Sequence, residues 1–241
     1  MKRYTFIVII LFMLFLLFIF PYKEGYDAIK YQLFNKEGKI TIVIDAGHGN
    51  FDPGKIGINK TAEKDINLSI AYKLKALLED NDINVIMTRT DDSCLCKKSD
   101  TDKKHADMRK RISIINSNDA LFAVSIHQNS FTQESSRGAQ VFYYQNSEQG
   151  QLLAEMIQEC MKGYIKDGNH RLAKSNSSYY MLKYSKCPLV IVECGFLSNR
   201  EEADLLIKDS YQDKIAWAIH LGILEYINSS IGDNSVPLAG H

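Results

Sequence analysis

Three strand-like runs in this chain end in a residue that can bind a metal or move a proton. His48 sits between two glycines directly after Ile40 to Ala46, His127 follows Val124-Ser125-Ile126, and Glu193 follows the apolar run Pro188 to Val192. A fourth such residue, Glu63, lies in the first turn of a helix opened by Thr61. Two imidazoles and one carboxylate are the ligand set of a catalytic zinc that leaves its fourth position open to water. A second carboxylate beside that water can take its proton and pass it to a leaving amine. Each residue also has a plain structural alternative. His48 could be a turn or capping residue. His127 could be a hydrogen-bonded strand end. Glu63 could be a helix-dipole acid worth roughly 0.3–1 kcal/mol. Glu193 fits such a part least well, because burying a carboxylate after an apolar run is costly unless it is paired or functional.

The elements that must position these residues are readable from periodicity. The β-branched run Ile40 to Ile44 suits a covered strand. Gly47 and Gly49 permit backbone angles that other residues resist, and ligands of open α/β sheets bind beyond the carboxyl ends of strands. From Thr61 to about Asp80, an apolar stripe of Ile66, Ile70, Leu74, Leu77 and Leu78 predicts a helix with acids in its first turn. Further strands are expected at Ile83 to Arg89, Leu121 to Ile126, Val141 to Tyr144 and Pro188 to Val192, with an edge strand at Ser177 to Lys183. Helices are expected at Met108 to Asn116, Ser147 to Met161, Arg200 to Ile207 and Tyr211 to Ile227. Strands alternating with helices indicate an α/β domain with a largely parallel sheet. In such a sheet the ends carrying His48, His127 and Glu193 share one edge, and Glu63 can reach it. The polar loop Thr90 to Asp107 is long for a compact domain, and long loops are usually functional or mobile.

Composition narrows the function classes. The chain has 241 residues, is 45% hydrophobic, and balances 29 Lys and Arg against 29 Asp and Glu. That length suits one or two domains. The absence of a basic excess argues against nucleic acid as a partner. Met1-Lys2-Arg3 followed by unbroken apolar sequence from Phe6 to Phe20 predicts an N-terminal hydrophobic helix. Taken from Tyr4 to Tyr22 it is about 28 Å long, close to the bilayer core. The run ends Phe-Ile-Phe-Pro-Tyr-Lys without the small residues of a cleavage site, which favours an uncleaved signal anchor over a signal peptide. The cations stay inside, so the remainder faces outward. The five cysteines are odd in number and cannot all pair internally. Cys94 and Cys96 are too closely spaced for a zinc ribbon and read as loop cysteines without a role, with a disulfide or metal as the alternative. Cys187 and Cys194, flanking a strand, read as small buried hydrophobes. His105, His170 and His220 read as loop or helix-surface residues.

At this level the chain resembles the zinc-dependent N-acetylmuramoyl-L-alanine amidases of bacterial cell-wall metabolism. The resemblance rests on Ile44-Asp45-Ala46-Gly47-His48-Gly49, Asp52-Pro53-Gly54, Glu63 to Leu68, Met87-Thr88-Arg89, Arg111 to Asn116, Val124 to Asn129 and Val192 to Asn199, in the family's order. Two departures, Asn50 after His48-Gly49 and Gln128-Asn129-Ser130 after His127, remove no ligand. The resemblance implies a single domain with a roughly six-stranded sheet flanked by helices. It implies that His48, Glu63 and His127 hold zinc and that Glu193 is the catalytic acid/base. The implied substrate is peptidoglycan, cut between muramic acid and the L-alanine of the stem peptide. The anchor and the lack of wall-binding repeats look most like the spore-cortex, germination-specific subgroup, whose stem-peptide removal leads to muramic-δ-lactam. The expected organisation is a signal anchor or signal peptide at 1–22, a linker at 23–39, the catalytic domain at 40–228 and a disordered tail at 229–241, in which Val236 to His241 could be an expression remnant. The expected location is the extracytoplasmic membrane face, the outside of the cell or the forespore intermembrane space. An activator protein is a candidate partner, and the Thr90 to Asp107 loop, unplaced in the family pattern, a candidate contact for it. The alternatives are a zinc peptidase or deacetylase of the wall, or a membrane-anchored wall-binding protein with an inactive site.

Overall fold

Strand β1 (Thr41–Ala46) lies inside the sheet, paired in parallel on both sides. The computed structural model describes residues 40–232; the apolar segment 1–22, the linker 23–39 and the chain beyond 232 lie outside the described residues. Among the described residues, no helix is long and apolar enough to cross a membrane. The remaining strands are β2 (Asn84–Met87), β3 (Phe122–Asn129), β4 (Gln140–Tyr144), β5 (Lys174–Asn176) and β6 (Leu189–Phe196). They form one six-stranded sheet in the order β2-β1-β3-β6-β4-β5.

Pairing is parallel throughout except between β4 and β6, so the expected largely parallel sheet is a mixed one. The reason is local. A parallel return needs a crossover of roughly a dozen residues or more, usually helical. Residues 130–139, between β3 and β4, form no helix. The chain therefore comes back antiparallel.

The helices are α1 (Glu63–Glu79), α2 (Lys103–Asn116), α3 (Glu148–Ile165), α4 (Tyr180–Tyr184), α5 (Arg200–Leu206) and α6 (Asp209–Gly232). Successive strand residues alternate between the two sheet faces. Val43, Ala123, Phe142, Leu189 and Ile191 share one face, where Ile112 and Ile115 of α2 and Met181 and Leu182 of α4 cover them. The alternate residues Ile42, Ile44, Val124, Ile126, Val190 and Val192 are fully buried on the other face, against α1, α3 and α6. There the Tyr226 ring of α6 meets Phe122 edge-on at 5.3 Å. The α2–α4 face is the thinner cover, and its upper end is where the chemistry collects.

Several elements depart from the sequence expectations. Ser177 to Lys183 is not an edge strand. The edge strand β5 ends at Asn176, whose side-chain oxygen accepts hydrogen bonds from the Ser178 and Tyr179 amides at 2.8 Å each. That local turn starts α4, and tertiary burial of Met181 and Leu182 outweighs the β preference of the tyrosines. Helix α2 starts at Lys103 rather than Met108, because Asp102 caps it by accepting from the His105 amide at 3.0 Å. Helix α6 continues through Gly232, past the expected Ile227. His220 is buried rather than on a helix surface, since α6 is covered by both α1 and α3; its Nε2 lies 3.1 Å from Asn81 Nδ2. Cys94 and Cys96 form a disulfide.

Candidate metal centre

The turn after β1 carries His48 in a conformation that few side chains accept. His48 has φ +64° and Asn50 has φ +52°, both in the left-handed region, with Gly49 at +143° and Gly54 at +71°. Non-glycine residues held there cluster at functional sites. Gly49 uses its freedom, and its missing side chain leaves room for the Ser93 carbonyl. Gly47 does not have a positive φ, so backbone freedom is not why a glycine stands there. The reason is space: a β-carbon on Gly47 would fall inside the His127 imidazole. A β-carbon on Gly54 would likewise lie 2.5 Å from Glu63 Oε2 and 2.7 Å from His48 Cδ2. The missing side chains of Gly47 and Gly54 thus leave the room that His48, Glu63 and His127 occupy.

The three converge on one point. His48 Nε2 lies 3.2 Å from Glu63 Oε1, and His127 Nδ1 lies 2.9 Å from the same oxygen. The two rings meet edge to face, with centroids 4.9 Å apart. One potential ligand atom from each residue lies within 4.8 Å of the others, so the group could hold a metal ion. His48 Nδ1 is 2.8 Å from Asp52 Oδ2. A carboxylate on one ring nitrogen favours a proton there and turns the other nitrogen's lone pair toward the centre. Glu63 is oriented by backbone and side-chain donors. Its Oε2 accepts from the Lys55 amide at 2.8 Å, and its Oε1 from the Gln128 amide at 3.0 Å and from Asn67 Nδ2 at 3.3 Å.

The electrostatics favour an anionic Glu63. Burial opposes its charge, but hydrogen bonds and attraction from His127 and His48 hold the carboxyl far below the usual carboxylate range. Burial likewise pushes the His127 imidazole down, and Glu63 outweighs it to raise the pKa. Two imidazole nitrogens and one carboxylate oxygen, once the imidazoles are neutral, are the donor set that a borderline-soft divalent ion accepts. The residues therefore fit such an ion.

Glu193 stands opposite His127 in the β3–β6 register, outside the three-residue group. Its Oε2 is buried without a hydrogen-bond partner. Burial is the main cause that pushes its carboxyl up to about 7; the His127 imidazole pulls it down and the Glu63 carboxylate pushes it up. Next to it stands Tyr179, whose phenol is raised by burial and by the Glu193 charge. The Tyr179 ring leans on Phe142 at 5.5 Å.

A second layer fixes the turn itself. Asp45 is buried and accepts from Thr88 Oγ1 at 2.6 Å, Arg111 Nη1 at 2.7 Å and Ser125 Oγ at 2.6 Å. Burial opposes its charge, but Arg111 and the two hydroxyls keep its carboxyl well below the usual range. Arg111 also donates to the carbonyls of Ala46 at 2.7 Å and His48 at 2.6 Å. Arg89 donates to the carbonyls of Ala46, Gly47 and Lys64. The two guanidiniums thus satisfy the carbonyls of a turn that has no ladder to join.

The structure thus brings His48, Glu63 and His127 together, with Glu193 beside them on β6. Asp52 was legible only as a turn residue, although a carboxylate four residues after a loop histidine was the available signal. Tyr179 was hidden in the misread edge strand. His105 stays apart from the group, its ring 5.1 Å from Tyr180 on the outer side of α2.

A six-stranded α/β sheet carries at one edge a His-Glu-His group that could hold a metal ion, and comparison with known proteins makes the class specific. The pattern of the N-acetylmuramoyl-L-alanine amidase family matches residues 42–225. The germination-specific N-acetylmuramoyl-L-alanine amidase of Bacillus subtilis is 35% identical over 229 residues, covering 93% of this chain and 95% of its own. Among solved structures, the CwlD amidase from Clostridioides difficile, in complex with the GerS lipoprotein, aligns with a TM-score of 0.77 and 43% identity, over 79% of this chain and 100% of that one. An N-acetylmuramoyl-L-alanine amidase from Clostridium difficile aligns with a TM-score of 0.71 and 32% identity, over 79% of this chain and 98% of that one. The chain belongs to the N-acetylmuramoyl-L-alanine amidase family.

Proposed function

We propose that this chain is a zinc enzyme that hydrolyses the amide between N-acetylmuramic acid and L-alanine in peptidoglycan, with His48, Glu63 and His127 as the zinc ligands and Glu193 as the acid/base. One observation carries the reading. Two imidazole nitrogens converge on one Glu63 oxygen at 3.2 and 2.9 Å, while Glu193, across the strand pair from His127, keeps a buried oxygen without a partner.

A bound zinc ion supplies Lewis acidity, which polarises a carbonyl and lowers the pKa of water toward about 7. The protein's own groups do the rest. Asp52 sets the His48 tautomer, and the Lys55 and Gln128 amides fix the Glu63 carboxylate. Glu193 accepts a proton from the attacking water as the new C–O bond forms. It then gives a proton to the L-alanine nitrogen as the C–N bond breaks. The released products are the lactyl carboxylate and a free L-alanine amino terminus.

Likeness to the germination-specific relative supports placing this activity in spore-cortex formation, where stem-peptide removal leads to muramic-δ-lactam. The apolar run Phe6 to Phe20 behind two cations supports an anchor or signal at 1–22, a linker at 23–39 and a catalytic domain acting outside the cytoplasmic membrane, in the forespore intermembrane space. The C. difficile CwlD complex with a lipoprotein supports a partner protein for this chain, for which we propose the part of an activator.

Digestion of intact peptidoglycan by the purified protein tests the reaction. Zinc-dependent release of L-alanine amino termini, without acetate and without cuts inside the peptide, is expected. Free acetate would indicate a deacetylase, amino termini other than L-alanine a peptidase, and no product with zinc bound a wall-binding protein; each would overturn the proposal.

A further inference from the structure

The segment between β2 and α2 packs directly on the His48 turn. The Asn50 amide donates to Asp92 Oδ1 at 2.6 Å, and Lys64 Nζ bridges Asp92 Oδ2 at 2.6 Å and the Asn50 carbonyl at 3.0 Å. The Leu95 amide donates to Asp107 at 2.8 Å and the Lys97 amide to Asp100 at 2.7 Å, and Cys94 is joined to Cys96. The segment is therefore pinned at several points. Between it and the residues after His48 lies a cavity of about 350 Å³, with Asn50, Phe51, Lys97, Lys98 and Lys103 in its wall.

Asp92 also lines the cavity, and because Lys64 pairs with it the unpaired charge of the wall is positive. Asp92 is engaged by Lys64, Asp107 by Arg111 at 2.6 Å, and Asp102 by the cap of α2. Lys97, Lys98 and Lys103 form no ion pair among the described residues, whereas Lys64 and Lys104 do. Lys103 Nζ stands 6.0 Å over the Phe51 ring, close enough for a cation–π contact that directs it. Lys104 lies 3.5 Å from Asp52, the carboxylate that holds His48, so the basic wall and the metal centre share a boundary. Lys97, Lys98 and Lys103 are exposed, and three like charges on residues that line one cavity favour an anion there. The amino end of α2 adds partial positive charge at the same place.

We infer that this cavity is a subsite for the carboxylates of the peptidoglycan stem peptide. The inference rests on the amidase reading and extends it. The scissile amide joins a sugar to a peptide, and free α-carboxylates are the anionic groups of that peptide. A cavity with three cations in its wall, on the segment that packs against the His48 turn, takes the peptide side of the substrate. Its contribution belongs to binding, so it acts on KM rather than on kcat.

The test uses the full zinc-loaded chain and two probes, the free stem tetrapeptide and the same peptide with its carboxylates amidated, titrated by calorimetry. Kinetics on the corresponding muropeptides run alongside. The parent protein is expected to bind the free tetrapeptide about tenfold more tightly than the amidated one. Lys97→Glu with Lys98→Glu should abolish that preference and raise KM about tenfold on the carboxylate substrate, with kcat and melting temperature unchanged. Lys98→Ala, milder in its effect on folding, should lose about threefold of the preference. Equal binding of both peptides by the parent would overturn the inference. So would a double variant that loses the same factor on both substrates, or none, which would leave the segment free as a protein contact. If the parent cleaves neither muropeptide, the amidase reading fails, while the calorimetric preference still reports on the cavity.

Discussion

Glu193→Gln is expected to lower kcat on peptidoglycan by about 10²–10⁴-fold, the usual contribution of a positioned general acid/base. Metal content and melting temperature should stay at the parent values. The argument is geometric. Glu193 sits opposite His127 in the β3–β6 register, outside the His48–Glu63–His127 group, so removing its charge takes away no ligand. Its Oε2 has no hydrogen-bond partner, so replacing the carboxylate by an amide of the same shape breaks no hydrogen bond at that oxygen. Burial keeps the Glu193 carboxyl near neutrality, the range in which one group can both take and return a proton. A variant that kept near-parent turnover would remove Glu193 from the mechanism. A variant that lost its metal would make Glu193 a ligand.

His127→Ala is expected to fail in a different way, losing bound metal and activity together. The imidazole fills the space that Gly47 leaves open and contacts Glu63 at 2.9 Å. Glu63, 2% exposed in the parent, would then have one imidazole partner instead of two. Removing one member of a buried charged pair typically costs about 3–5 kcal/mol. The metal-free His127→Ala protein should therefore melt well below the metal-free parent, a shift that Glu193→Gln should not show. Metal analysis and thermal melting of the two variants side by side separate the two roles. Full metal content in His127→Ala would contradict its place in the ligand set.

Much of this site could be read before any coordinates. His48, His127 and Glu193 each follow a β-branched or apolar run, and strands that run parallel bring their carboxyl ends to one edge. Glu63 was accessible through the acids of the helix start, because a helix that begins beside that edge carries its first turn there; the expected Thr61 cap is not formed, since Ala62 stands at the N-cap and no side chain caps the helix. The supporting parts were harder. Asp45, Thr88, Arg89 and Arg111 were visible as sequence motifs, but which carbonyls they hold depends on contacts between distant segments. Gly47 looked like a backbone requirement and is a steric one, since the clashing group arrives from β3. Asp52 looked like a turn former because the Asp-Pro-Gly signal accounts for it without a second role, and its bond to His48, only four residues away, depends on the left-handed backbone of the turn between them.

The misread elements have the same origin. Ser177 to Lys183 is rich in residues that favour strands, yet Asn176 turns the chain and buried Met181 and Leu182 decide for helix. The antiparallel placement of β4 follows from the short connection after β3 rather than from any strand pattern. His220 lacks a sequence signal for burial because α6 is enclosed by α1 and α3 on two sides. For the α4 segment and for His220, packing partners far along the chain outweigh the local preference.

The most direct test of the account is a zinc-edge anomalous difference map from crystals of the zinc-loaded protein. The account predicts one peak at roughly 2.0–2.2 Å from His48 Nε2, His127 Nδ1 and a Glu63 carboxylate oxygen, with the Glu193 carboxylate facing it but not bonded to it. A peak with Glu193 as a fourth protein ligand would describe a closed structural site and contradict the account, as would the absence of a peak between these three residues.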